Sequence, residues 1–61
     1  MPVITVQMLE GRTIDQKREI AAAITDVMVK IGKAHPDSTM VIMQEVPKSN
    51  WSRAGKLVVD S

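Results

Sequence analysis

The sequence predicts an α+β chain built on one β-α-β unit, with two parallel strands, one long helix and a short C-terminal hairpin. Three observations predict this fold. Two short segments rich in β-branched and apolar residues flank a longer segment whose apolar residues recur at helical spacing. The longer segment can carry the chain back to the start of the sheet, which sets the strands parallel. The tail combines turn-forming residues with a single tryptophan.

The first strand is predicted over residues 2–8, where apolar residues alternate with others. Ile4, Val6 and Met8 share one face of this strand because successive side chains point to opposite sides. Gly11 follows and supplies the backbone freedom for a turn.

The helix is predicted over residues 13–32. Thr13 and Gln16 have the spacing of a capping box, in which each side chain satisfies the other's backbone amide. Gly32 offers a C-terminal stop. Between these ends, apolar residues recur every three or four positions, at Ile20, Ile24, Val27 and Ile31.

The second strand is predicted over residues 39–46, which are apolar at their centre and are followed by Pro47. A helix of about 19 residues is roughly 28 Å long, enough to join two parallel strands. The tail, residues 48–59, is predicted to form a hairpin that carries Trp51 and reaches across a neighbouring chain.

The chain is a single domain, residues 1–61, that is too small for a self-sufficient core. A domain of about 60 residues buries only about 60% of its unfolded surface. There is no cysteine and only one histidine, His35, so we expect no disulfide, no metal site and no cofactor. Association of identical chains is then the expected source of stability.

The charge pattern and hydropathy exclude several kinds of partner. The formal net charge is +1 with no run of Lys or Arg, so a nucleic-acid function has little support. No apolar run approaches the roughly 18 residues that would span a bilayer, and the N-terminus has no signal-peptide pattern. We expect a cytoplasmic protein.

Pro2 is the first candidate for chemistry. If Met1 is removed, Pro2 becomes the terminus and carries a secondary amine. A free α-amino group titrates at about pH 7.7–8.0, and apolar surroundings or nearby cations lower that value, so the amine could be a neutral base. Proline is also well tolerated as the first residue of a strand, which gives Pro2 a purely structural explanation.

Taken together, several motifs resemble the 4-oxalocrotonate tautomerase family, the small members of the tautomerase superfamily. The resemblance covers nearly the whole chain and implies a homohexamer, a trimer of dimers. It also implies that Pro2 is the general acid/base that moves a proton between an enol or dienol acid and its keto tautomer. The matching features are Pro2 after Met1, Leu9-Glu10-Gly11-Arg12, Gln16-Lys17, the apolar second strand and the aromatic Trp51 in a Gly-containing tail.

The same resemblance implies roles for Arg12 and Trp51. Arg12 would hold a substrate carboxylate, because a guanidinium offers a fixed fork of donors and stays charged. Trp51 would wall the pocket and exclude water, which favours the neutral form of Pro2. Each also has a structural explanation, since Arg12 fits a solvated surface position and Trp51 fits an interface plug.

Met40 departs from the pattern of family members that act on dicarboxylates, which have a second arginine at this place. A thioether cannot pair with a carboxylate or stabilise a developing enolate. Either that activity is lost, with a preference for fewer carboxylates, or another group replaces the arginine. Arg53 from a neighbour's tail is the nearest candidate cation, although it also fits an exposed turn, and Ser38 could donate a weaker hydrogen bond.

Two further functions stay open. Addition or loss of water or halide at an unsaturated acid would use a protonated Pro2 and a base, for which Glu45 is the candidate; the favoured interpretation of Glu45 is an exposed edge carboxylate. A catalytically inactive oligomeric scaffold or binding protein is the other, because retention of Met1 would leave Pro2 without a basic nitrogen.

Overall fold

The computed structural model describes the whole chain, residues 1–61, and confirms the α+β class. Three single turns of 3₁₀ helix separate or follow its regular elements, at Pro36–Ser38, Lys48–Asn50 and Val58–Asp60. The regular elements are strand β1 (Val3–Leu9), helix α1 (Ile14–Lys30), strand β2 (Met40–Val46) and a short hairpin of β3 (Ser52–Arg53) and β4 (Lys56–Leu57).

Strands β1 and β2 pair in parallel along their whole length, as the fold class requires. Val3 lies opposite Met40 at one end, and Leu9 lies opposite Val46 at the other. The Met40 N–H donates to the Pro2 carbonyl oxygen (3.0 Å), so the pairing extends beyond β1 at its start. Proline has no N–H to donate, which explains why β1 itself begins at Val3 rather than at residue 2.

Helix α1 begins with the capping box that the sequence predicts. The Thr13 hydroxyl oxygen accepts from the Gln16 N–H (3.1 Å), and the Gln16 side-chain oxygen accepts from the Thr13 N–H (2.9 Å). The helix ends at Lys30, two residues before the predicted end.

Gly32 directly follows the C-cap residue Ile31, at the predicted end of the helix, but it is not the left-handed residue. The left-handed residue after the helix is Lys33, at a φ of 57°. A Cβ at position 32 would lie 2.7 Å from the Met28 carbonyl oxygen, so glycine is needed there for close approach of two backbone segments.

One face of the two-stranded sheet packs against α1, and the other face is open. Exposure alternates along both strands, and Met8 is the only buried residue of the chain. The helix-facing side chains of both strands are half-buried or buried. The open face exposes large apolar side chains at Val3, Met40 and Ile42.

The C-terminal hairpin is shorter than the predicted range of residues 48–59. Its two strands are joined by Ala54 and Gly55, which both have left-handed φ values, 53° and 81°. Such a turn follows the natural twist of two antiparallel strands. The flanking residues form 3₁₀ turns instead of strands, and the Val58 N–H donates to the Trp51 carbonyl oxygen (2.8 Å).

The loop before β2 explains the second strand's late start. The Thr39 N–H donates to the Pro36 carbonyl oxygen (3.2 Å) within the 3₁₀ turn, so β2 begins at Met40 rather than at residue 39. Helix α1 is neither long nor apolar enough to cross a membrane.

Candidate active site

The five candidate site residues fall into two groups at opposite ends of the β1–β2 sheet. Pro2 and Ser38 lie where the strands begin, and Arg12, Trp51 and Arg53 follow the ends of the strands. Six residue steps separate Val3 from Leu9, which is about 20 Å in a strand. A single chain therefore does not bring Pro2 and Arg12 to the same place.

Pro2 is half-buried at the start of the sheet, and its backbone is held in place. Its carbonyl oxygen accepts the hydrogen bond from Met40, and its nearest neighbours along both strands are the apolar residues Val3 and Met40. Met1 is 79% exposed, so this residue has little packing to lose if it is removed.

Ser38 is tied into the turn that precedes β2. Its hydroxyl donates to the His35 carbonyl oxygen (3.2 Å), and the Thr39 hydroxyl donates to the same oxygen (2.9 Å). His35 in turn caps this turn, because its Nδ1 accepts from the Asp37 N–H (3.3 Å). The Ser38 hydroxyl proton therefore already has an acceptor within its own loop.

Arg12 lies in the exposed turn between β1 and α1. One of its guanidinium nitrogens donates to the Leu9 carbonyl oxygen (3.3 Å), which draws the side chain along the end of β1. A guanidinium has several further N–H donors, and these stay available for an anion. Gly11 precedes it at a φ of 129°, a conformation that only glycine adopts freely.

Trp51 is half-buried against the open face of the sheet at the end where the strands finish. It lines an open cleft of about 340 Å³, and the cleft's other walls are largely polar. Sequence analysis did not identify these polar neighbours, although Gln7 falls on the open face by simple alternation. The cleft is lined by Gln7, Val46, Asn50, Trp51 and Ser52.

Arg53 lies in the hairpin directly after this cleft and is exposed. It is opposite Lys56 across the hairpin, and neither cation has an acidic partner within the chain. Like charges at opposite positions of two strands repel each other, so both side chains are available to an anion or to an acidic group of another chain.

Glu45 is not the exposed edge carboxylate that one interpretation of the sequence favours. Its side chain is 27% exposed and forms an ion pair with Lys17 of α1. The hydrogen bond from Lys17 is the main cause of a lowered pKa of the Glu45 carboxyl; the Lys17 charge, the Gly11 N–H and the Arg12 charge lower it further, and desolvation opposes them.

The Lys17–Glu45 ion pair is a contact near the candidate site that sequence analysis missed, although the sequence pattern contains a signal for it. Glu45 has the same alternation as the helix-facing Val41 and Met43, and Lys17 precedes the apolar Ile20 at helical spacing. Lys17 of α1 and Glu45 of β2 therefore both fall on the faces by which the helix and the sheet pack together, and they are expected to contact each other. Glu45 is also about five strand steps, roughly 17 Å, from the Pro2 end.

Comparison with known proteins gives a consistent result. A family model described as tautomerase enzyme matches residues 2–61. The chain is 37% identical over 60 residues to 2-hydroxymuconate tautomerase of Bacillus subtilis (strain 168), covering 98% of this chain and 97% of that protein.

Two solved structures extend the likeness to the fold. The structure of YwhB, a homologue of 4-oxalocrotonate tautomerase, has a TM-score of 0.95 at 35% identity and covers 98% of each chain. A heterohexamer 4-oxalocrotonate tautomerase from Chloroflexus aurantiacus J-10-fl has a TM-score of 0.91 at 30% identity, covering 98% of this chain and 97% of that one.

Proposed function

Because the chain belongs to the tautomerase family and is thus an isomerase, we propose that Pro2 is its general acid/base, acting on the enol form of a 2-keto acid. The match of the family to residues 2–61 carries this proposal. In the proposed reaction the Pro2 nitrogen, freed by removal of Met1, takes the enol hydroxyl proton and returns a proton to carbon. The product is the keto acid.

The surroundings of Pro2 support a proton-transfer role. The residue is half-buried beside apolar neighbours, and apolar surroundings disfavour a protonated amine. The hydrogen bond to its carbonyl oxygen fixes the backbone, which holds the nitrogen in one place for proton transfer.

We infer that a complete site draws on more than one chain. Pro2 and Arg12 are separated by the length of β1, about 20 Å, which exceeds the reach of one small substrate. In this arrangement one chain supplies Pro2, while another supplies Arg12 for the carboxylate and Trp51 to exclude water. The homohexamer that the sequence resemblance implies would provide such contacts, and Arg53 of a neighbouring tail would add a second cation.

The Pro2 end favours substrates with one carboxylate over substrates with two. The exposed side chains beside it on the open sheet face are Val3, Met40 and Ile42, and none can pair with an anion. Hydration of an unsaturated acid has less support, because it needs a base that activates water. Glu45, the candidate base, is already paired with Lys17.

The test is the ketonisation rate of enol acids by protein whose Pro2 is confirmed to be free by mass spectrometry. General acid/base catalysis contributes about a hundredfold or more to a rate, so Pro2→Ala should lose at least that factor in kcat. Pro36→Ala, which removes a proline from an exposed loop, serves as the matched control and should retain the rate.

Retention of the wild-type rate by Pro2→Ala would contradict the proposed mechanism. Absence of turnover by the wild-type protein on enol acids with one and with two carboxylates would favour the scaffold function instead. In that outcome Arg12 and Trp51 would be structural residues.

A further inference from the structure

Lys17 and Glu45 form the one partly buried ion pair of this chain. Their side chains are 25% and 27% exposed, whereas every other ion pair has both partners at least 57% exposed. Ion pairs at exposed positions contribute little, so the protected pair is the one able to fix local geometry. It joins the first turn of α1 to the last part of β2.

The turn that carries Arg12 lies between the two elements that this pair joins. Glu45 precedes Val46, whose carbonyl oxygen accepts from the Glu10 N–H (3.1 Å) at the start of the turn. Lys17 lies one helical turn after Thr13, where the turn ends, and its own N–H donates to the Thr13 carbonyl oxygen (3.1 Å). The ion pair therefore fixes the separation between the two ends of the Arg12 turn.

We propose that Glu45, anchored by Lys17, is a positioning residue that directs Arg12 toward the substrate carboxylate. This inference rests on the proposed role of Arg12 in binding. Gly11 and Arg12 form the link between the two ends of the Arg12 turn: Gly11 has no side chain to restrict its backbone, and the Arg12 side chain has one hydrogen bond, to the Leu9 carbonyl oxygen (3.3 Å). Because the ion pair fixes the residues at both ends of this link, it limits the directions in which the Arg12 guanidinium can point.

The negative charge of Glu45 allows a positioning role of this residue to be distinguished from a purely electrostatic role. A carboxylate near Arg12 weakens the attraction of Arg12 for a substrate anion, because like charges repel. If Glu45 acted only through its charge, its neutralisation would strengthen substrate binding. If Glu45 positions Arg12, its neutralisation weakens substrate binding.

The experiment compares the steady-state kinetics of Glu45→Gln and Lys17→Met with those of the wild-type protein. A binding group displaced by 1 Å can cost about a hundredfold, and we expect a partial loss of direction to raise KM about tenfold for both variants. The rate constant kcat should stay close to the wild-type value, because Arg12 binds the substrate carboxylate and does not take part in the proton transfer. Lys17→Arg keeps the cation and should restore most of the binding.

Asp26→Asn is the matched control, because it breaks the exposed Lys30–Asp26 pair (3.0 Å) without touching the turn. It should leave KM unchanged. Circular dichroism spectra and oligomer size are recorded for every variant. If Glu45→Gln does not fold, the double variant Lys17→Met/Glu45→Met, which removes the ion pair without changing the net charge, replaces it: a raised KM supports the positioning role, and an unchanged KM overturns it.

Arg12→Ala and the double variant Arg12→Ala/Glu45→Gln separate the two proposals. If Glu45 acts through Arg12, the double variant has the KM of Arg12→Ala alone, since coupled residues are not additive. An unchanged KM in Arg12→Ala would overturn the binding role of Arg12 itself. A raised KM in Arg12→Ala with an unchanged or lowered KM in Glu45→Gln would overturn only the positioning role.

Discussion

Met40 is the residue on which the proposed preference for substrates with one carboxylate depends. It begins β2, lies opposite Val3 and is 48% exposed. Its backbone N–H holds the Pro2 carbonyl oxygen, while its side chain adds only apolar surface to that end of the sheet. The side chain at position 40 can therefore change without loss of the backbone contact to Pro2.

Met40→Arg should extend activity to enol acids with two carboxylates. A hydrogen bond to a charged group is worth about 1.5–3 kcal/mol, so kcat/KM for the dicarboxylate should rise about tenfold or more. The value for a monocarboxylate should change little. Rates for both substrates, measured in parallel, give the ratio.

Ile42→Arg is the matched control, since it places the same cation two residues further along the same strand face. It should not reproduce the change in substrate preference. An equal gain from both variants would point to general attraction of anions, and no gain from Met40→Arg would show that position 40 does not contact the substrate.

At the scale of secondary-structure elements, the N-terminal cap contributes strongly to the stability of helix α1. Only half-buried and exposed side chains line this helix, so packing within the chain supports it weakly. The reciprocal hydrogen bonds of Thr13 and Gln16 satisfy two backbone N–H groups that would otherwise have no partner. The cap also ends the turn that presents Arg12.

Thr13→Ala should lower the free energy of unfolding by about 1 kcal/mol, the usual value of an N-cap side chain. Thr13→Ser keeps the hydroxyl and should be close to the wild-type protein. Urea unfolding at a fixed chain concentration measures both. If the alanine and serine variants had equal stability, the methyl group rather than the hydroxyl would account for any loss.

The helix and both long strands are predictable from the sequence because their signals are local. Alternation, helical spacing and the Thr13 cap act within a few residues, and each element forms close to its predicted position. The tail is harder to predict. Its flanking residues form 3₁₀ turns around the Trp51 contacts, and such turns have no periodic pattern.

The sequence identifies individual candidate residues, but it does not predict how they are arranged in the fold. Arg12 and Trp51 have distinctive neighbours in the sequence, yet their separation from Pro2 follows only from strand length and parallel pairing. The prediction of an exposed Glu45 was wrong, because burial of this residue depends on the packing of α1 over β2. Ser38 was predicted to donate a hydrogen bond in the site, but its hydroxyl already donates to the His35 carbonyl oxygen within its own loop.

The chain is more extended than a compact domain of its length, which supports the expected association of chains. Its radius of gyration is 14.5 Å, whereas a compact domain of this length has a value of about 10.5 Å. Its accessible surface is 4721 Å², against about 3,900 Å² for a compact protein of this mass. The excess of about 800 Å² equals one partner's share of a standard interface.

An apolar part of α1 is a natural place for part of this interface. Val27 is 52% exposed and lines a wholly apolar cavity of about 270 Å³ beside β1. Val27→Asp should raise the dissociation constant of the assembly at least about a hundredfold, because a buried unpaired carboxylate costs several kcal/mol. Sedimentation at several chain concentrations measures the constant.

Ala22→Asp is the control, since residue 22 is exposed about 140° away around the same helix. It adds the same charge and should leave the assembly intact. The melting temperature of the wild-type protein should also rise with chain concentration, as it does when folding and association are linked. A monomer of unchanged stability at low concentration would contradict this view of the molecule.

The separation of Pro2 from Arg12 along β1 has a consequence for gene duplication. Two copies of this gene can divide the proposed site, so that one product keeps the proline end and the other keeps the arginine end. Each gene product can then change at the end of β1 that no longer contributes to the site, and activity requires both genes. A short strand with one proposed reactive group at each end thus gives a small enzyme a direct route from identical to unlike subunits.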